Sequence, residues 1–250
     1  MKMKVEDLSN GALIWAMNRV LEKYRKKISY LEYFGRRHFG DDGWKEQLEI
    51  MEQERGALKW FIAGPIIERE RITLAWQPQF RGQTWEASYE NAQNSQRGMD
   101  PLVTGMRCFV MNTSPDLLDS LPLNTAVGFC ENEQLSLAPA ELSESDYAEK
   151  CRKRLFWTFA GALIEQHGMT LYPFDDGKGK TLWCAYHMQS EHQDFSSEDP
   201  SSLVIQAFIA AHQASVTVPD DVLRKDAEAI AQGRLIDMEY VSVTRSKPRN

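Results

Sequence analysis

Apolar residues recur at three- and four-residue spacing through the first quarter of the chain and then switch to strict alternation. Leu13, Ala16, Met17, Val20, Leu21 and Tyr24 form one stripe, so residues 5–27 are expected to contain a helix, with Asp7, Ser9 and Asn10 as candidate N-caps. A looser aromatic and glycine-rich stretch follows, with Tyr33, Phe34, Phe39, Gly40 and Gly43. Leu48, Met51, Leu58 and Trp60 predict a second helix over residues 44–62. Gly64-Pro65 should end it, because proline lacks a donor and pushes the residue before it out of the helical region. From Arg71 the period is two: Ile72, Leu74 and Trp76 alternate with Thr73, Ala75 and Gln77, the mark of a half-buried strand. Residues 78–82 supply a turn, and Trp85, Ala87 and Tyr89 line one face of a returning strand, completing a hairpin. Residues 90–99 carry no period and read as a loop. Asp100-Pro101 then places a capping carboxylate before a proline at the first helical position, ahead of a stripe of Leu102, Val103, Met106, Phe109 and Val110.

The pattern recurs. Shifted by 97 positions, Gly64-Pro-Ile-Ile-Glu falls on Gly161-Ala-Leu-Ile-Glu, and the ungapped register runs from Glu52 to Tyr89. It matches Arg55 with Arg152, Trp60 with Trp157, Glu68 with Glu165, Leu74 with Leu171, Gly82 with Gly179 and Tyr89 with Tyr186. Two residues of loop growth then bring Asp100-Pro101 onto Asp199-Pro200 and Phe109 onto Phe208. The reading is two diverged copies of one helix–hairpin–helix unit. A lone two-stranded hairpin is marginal in water, so the two hairpins are expected to join edges into one antiparallel sheet with a shared core.

Three segments, Val5 to Ala16, Gly64 to Leu74 and Pro101 to Val110, resemble the phage ABA-sandwich family, small proteins of tailed phages and enterobacterial prophages. The resemblance spans residues 3–118 and is most specific over Gly64 to Leu74. It implies a β layer between helical layers and transfers no catalytic residue. Against that family's usual length, residues 28–60 read as a helical insertion. The expected organisation is α+β, an α-β-α sandwich: a first copy over 1–118, a connection over 119–143, a second copy with a C-terminal helix over 144–233, and a polar tail over 234–250. The connection, with Pro115, Pro122 and Pro139, should be mostly irregular, and the last helix should use Val222, Ala227, Ile230 and Ala231.

Charge and candidate chemistry narrow the function more than they define it. With 36 acidic residues against 29 basic, the net charge of −7 opposes binding to a phosphate backbone and argues against nucleic acid as a partner. No apolar run is long enough for a bilayer and no signal segment opens the chain, so the expected location is the bacterial cytoplasm, with no membrane partner. Cys108, Cys130, Cys151 and Cys184 lack paired spacing and read as reduced thiols. Cys184, His187 and His192 lie close in sequence, but strand alternation turns Cys184 away from His187, so no metal and no cofactor is expected. Asp175-Asp-Gly-Lys-Gly-Lys lacks the ligand spacing of a calcium loop and reads as a hairpin turn. The tryptophans at 60, 76, 85, 157 and 183 fall on the core stripes. No catalytic set emerges. Candidate ligand-binding residues are Glu68, Arg69, Arg71, Arg81 and Glu165, at the seam between the copies. The leading expectation is a non-enzymatic phage or prophage accessory protein that binds a host protein or a small anionic molecule. The alternative is an enzyme such as a nucleotide hydrolase, using Glu68 and Glu165 as paired carboxylates.

Overall fold

A computed structural model describes residues 1–23, 30–56, 58–80, 83–89, 95–135, 144–187 and 196–232. Tyr24, Arg81, Pro139 and His192 lie outside them. The fold is α+β, centred on a six-stranded antiparallel sheet. Its strands are β2 (Ile72–Phe80), β3 (Gln83–Tyr89), β4 (Gln96–Gly98), β5 (Met169–Asp175), β6 (Thr181–His187) and β7 (Ser196–Ser197), in the order β4-β3-β2-β5-β6-β7. A separate two-stranded sheet joins β1 (Lys2–Lys4) to β8 (Ser215–Thr217). The two hairpins therefore meet edge to edge, with Leu74 opposite Leu171 across the β2–β5 junction. Each hairpin is preceded by a helix, α3 (Trp60–Arg69) or α7 (Glu144–His167), and followed by another, α4 (Pro101–Thr113) or α8 (Pro200–Ala210).

Alternation decides which side of the sheet these helices cover. Ile72, Leu74, Trp76, Trp85, Ala87, Met169, Leu171, Trp183 and Ala185 share one face and are buried. Helices α4 and α8 lie on that face. A side chain grown from Gly105 in α4 would touch Leu74 at 3.3 Å and Ile67 of α3 at 3.4 Å, which places both helices over the same residues. The opposite face carries Thr73, Ala75, Glu86, Ser88, Tyr172, Phe174, Leu182 and Tyr186, all half-buried.

The pairing register corrects the ungapped alignment. Leu74 corresponds to Leu171 at a shift of 97, but Ala87 opposite Leu74 corresponds to Ala185 opposite Leu171, a shift of 98. Gly98 and Ser197 then correspond at 99, because they face Trp85 and Trp183. The single step of two residues is thus two steps of one, and the structural partner of Tyr89 is His187, not Tyr186. Trp85 and Trp183 become equivalents, a match that the constant shift conceals.

Several helix expectations also change. The helix foreseen over 44–62 is two: α2 (Tyr30–Arg55), interrupted at Gly40, and α3. Pro65 does not stop α3 but sits inside it. The donor it lacks would serve the carbonyl of Phe61, a residue 44% exposed, where solvent can take that carbonyl. The break falls instead at Gly56, whose positive φ of 48° closes α2. The supposed irregular connection contains α5 (Asp116–Ser120) and α6 (Leu123–Leu135). Pro115 and Pro122 stand just before their first turns, where a missing N–H costs nothing. Residues 96–98, read as loop, form the edge strand β4.

The last helix, α9 (Asp220–Ala231), turns a different face inward than the apolar count suggests: Val222, Asp226 and Ala229 are buried, while Ile230 is 52% exposed. Asp226 explains the rotation. Its carboxylate accepts from the Gly11 N–H at 2.9 Å and so caps α1 (Asn10–Lys23) from across the fold. Asp7, Ser9 and Asn10 were the local candidates, yet the cap comes from a residue more than two hundred positions later. Asp226→Ala is expected to cost about 1–2 kcal/mol, read as a lower denaturation midpoint and faster amide exchange at Gly11 and Ala12. Unchanged exchange there would count against the cap.

Candidate functional site

The seam between the two hairpin units is built by α3 and α7, and one sequence pattern governs it. Trp60-x3-Gly64-x3-Glu68 and Trp157-x3-Gly161-x3-Glu165 place an indole, a gap and a carboxylate along one helical face in each case. The helices cross antiparallel, so each tryptophan meets the other helix's glycine and glutamate. Trp157 fills the space over Gly64 and donates its Nε1–H to Glu68 at 3.1 Å; Trp60 lies over Gly161 and donates to Glu165. The two indoles stack on each other, nearly parallel at 4°, with ring centres 6.2 Å apart. Any side chain at Gly64 or Gly161 would occupy the opposing indole.

Each carboxylate also receives a cation from the other unit. Lys153 Nζ donates to Glu68 at 2.6 Å, and Arg55 donates to Glu165 at 2.6 Å. Arg55 further reaches Asp100, the cap of α4, at 3.4 Å, and its counterpart Arg152 reaches Asp199, the cap of α8, at 3.3 Å. The equivalent caps differ in chemistry. Burial pushes the Asp100 carboxyl up to about 6; Arg55 opposes this, and the neighbouring Glu165 adds to it. At Asp199 burial also pushes upward. There the hydroxyls of Ser201 and Ser202, at 2.6 and 2.7 Å, outweigh it and hold the group below the ordinary aspartate range. Leu102 and Val103 stand in the same places beside Asp100 and offer only backbone N–H groups.

The five candidate binding residues do not converge. Glu68 and Glu165 lie four residues beyond the crossing on antiparallel helices, which separates them by roughly 12 Å along the helix axis. Each is ion-paired, so the geometry gives no shared pocket for an acid–base pair. Arg69 is half-exposed and donates to Glu70 at 2.8 Å. Arg71 is exposed at the turn from α3 into β2, and Arg81 is outside the described residues. Arg71 has a positive φ of 54°, a conformation that disfavours any residue with a Cβ; the equivalent turn before β5 has Gly168, at 64°. The partners Trp60, Trp157, Arg55 and Lys153 escaped sequence reasoning, although the repeated Trp-x3-Gly-x3-Glu spacing was there to be seen.

The remaining motifs settle into structure. In the β5–β6 turn, Asp175 accepts from Gly177 N and Asp176 from Lys178 N and Lys180 N, at 2.8 to 3.2 Å, so these carboxylates shape the hairpin. The four cysteines are free thiols, and burial pushes Cys108 up to about 11. Among the described residues no three His, Cys, Asp or Glu side chains stand ready at coordination distance, and no helix is long and apolar enough to cross a membrane.

Comparison with known families brings in the first half of the chain. Residues 4–113 match the phage family Bacteriophage P22, NinX. The match runs from the segment before α1 to the last residue of α4, nearly the span over which the sequence resembles a phage family. The family matched is NinX rather than the ABA-sandwich family. Glu68, Arg69 and Arg71 fall inside the NinX match, whereas Glu165 and the whole of α7 fall outside it. No curated protein and no solved structure matches the chain.

Proposed function

We propose that the chain is a phage or prophage accessory protein that acts by binding, in the cytoplasm of the bacterial host, and that its binding surface is the α3–β2 corner at Arg71. The match of residues 4–113 to a phage family supports the origin. The observation that carries the site is the left-handed backbone of Arg71 where the equivalent turn has glycine. An exposed arginine that keeps a strained backbone gains nothing for the fold; such strain is characteristic of positions kept for contact. With Arg69 two residues away, the corner suits an anionic group, either an acidic segment of a host protein or a small anionic molecule. The ion-paired carboxylates at opposite ends of the seam favour this reading over a hydrolase.

We also read the two helix–hairpin–helix units as diverged copies of one ancestor. What supports this is the recurrence of Trp, Gly and Glu in α3 and α7, of Trp85 and Trp183, and of the Asp-Pro caps, at shifts that grow by one in each loop.

Arg71→Gly separates fold from function. It is expected to stabilise the protein by about 1 kcal/mol, because glycine adopts this backbone without strain. Used as bait in host lysate, the variant should lose a factor that the original protein retains. In thermal-shift screens with nucleotides and other small anions, it should lose a stabilisation that would be about 2.7 kcal/mol at a hundredfold excess over Kd. A variant that is more stable and still holds every ligand would overturn the reading.

A further inference from the structure

We propose that His167, His187 and His212 form a binding site for a borderline divalent transition metal such as Zn2+. The chain has five histidines, and three of them meet at one end of the sheet from distant positions: the end of α7, the end of β6 and the turn after α8. The His187 ring centre lies 6.4 Å from that of His167 and 5.9 Å from that of His212. Phe208 completes the circle at 4.6 and 4.9 Å from His167 and His212. His167 and His187 are buried, and His212 is half-buried, so a single side of the cluster opens outward. At the equivalent end of the first unit, Glu70, Tyr89 and Thr113 occupy these places around Phe109, so the three imidazoles are particular to this end.

Two features fit a metal. Imidazoles sharing one zinc at Zn–N distances of about 2.0–2.1 Å have ring centres roughly 5 Å apart at a tetrahedral angle. The observed spacings exceed that by about 1 Å, a gap that side-chain rotation closes without backbone movement. The nitrogen of His212 is also already selected. Its Nδ1 lies 2.9 Å from the Phe208 carbonyl, which can only accept, so Nδ1 carries the proton and Nε2 keeps its lone pair. A backbone carbonyl behind a ligating imidazole is the usual support for such a ligand, fixing both tautomer and ring orientation. Three neutral imidazoles would leave a fourth position to solvent on the His212 side.

The test uses the full chain stripped of metal with a chelator. Titration with Co2+ should show one ion bound per chain, with visible d–d absorption that Zn2+ abolishes by displacement. His212→Gln, at the half-buried position, and His187→Gln should each weaken binding by at least about tenfold, whereas His38→Gln should leave it unchanged. Should His187→Gln fail to fold, His212→Gln decides alone. Absence of saturable Co2+ and Zn2+ binding, or binding that His212→Gln leaves intact, would overturn the site.

Discussion

Gly161→Ala is expected to destabilise the protein by at least about 3 kcal/mol, the upper range for forcing atoms into a packed core. The new methyl would lie inside the Trp60 indole, and that ring cannot retreat. One side of it is stacked on Trp157, and its N–H is bound to Glu165. A helix ordinarily gains from replacing glycine with alanine by about 1 kcal/mol, so the sign itself is diagnostic. Gly128 in α6, with open space where a Cβ would point, provides the internal control: Gly128→Ala should be neutral or stabilising. Trimming the obstruction with Trp60→Ala in the Gly161→Ala background should recover part of the loss, a non-additivity measurable by denaturant melts. If Gly161→Ala melts like the original protein, the crossing is not as close as described.

Arg55→Ala should be nearly as damaging, at about 3 kcal/mol or more, because it removes the cation shared by a buried aspartate and a glutamate. Asp100 is 4% exposed, so the group left behind is a carboxylate with little access to water. The effect should depend on pH with a predictable sign. Asp100 rises from 3.8 in the unfolded chain to about 6 in the folded one, so the folded state holds this proton more tightly. Its contribution therefore favours folding below pH 4, declines as pH rises toward 6, and is constant above that. Arg55→Ala removes the cation that opposes the rise, so its penalty should be larger at pH 8 than at pH 5. Asp100→Asn should flatten the stability curve between pH 4 and 6. Asp199 works in the other direction: its lowered value contributes stability above about pH 4 that is lost on acidification. Melts of the single variants across pH 4–8 separate the two. A penalty for Arg55→Ala that is the same at both pH values would refute the Asp100 linkage.

The sequence itself determined the elements whose causes are local. Alternation marked β2 and β3, Asp-Pro marked the start of α4, and its predicted stripe of Leu102, Val103, Met106, Phe109 and Val110 is buried without exception. The edge-to-edge junction of the hairpins followed from the instability of a lone hairpin, and it occurs at Leu74 and Leu171. What remained hidden depends on partners distant in sequence. Pro65 can sit inside α3 because the carbonyl it fails to serve faces outward, which no local rule reveals. Asp226 is buried in α9, where an apolar residue was expected, because α1 takes its cap from it. Glu68 and Glu165 looked like a catalytic pair when matched by position. Only the antiparallel crossing shows that they stand at opposite ends, each held by the other unit's indole and cation. Spacing along a chain fixes which face a residue occupies, through the helical and strand periods. It leaves open which distant surface that face will meet, and here that choice decided the one-residue steps in register, the tryptophan clasp and the meeting of three histidines.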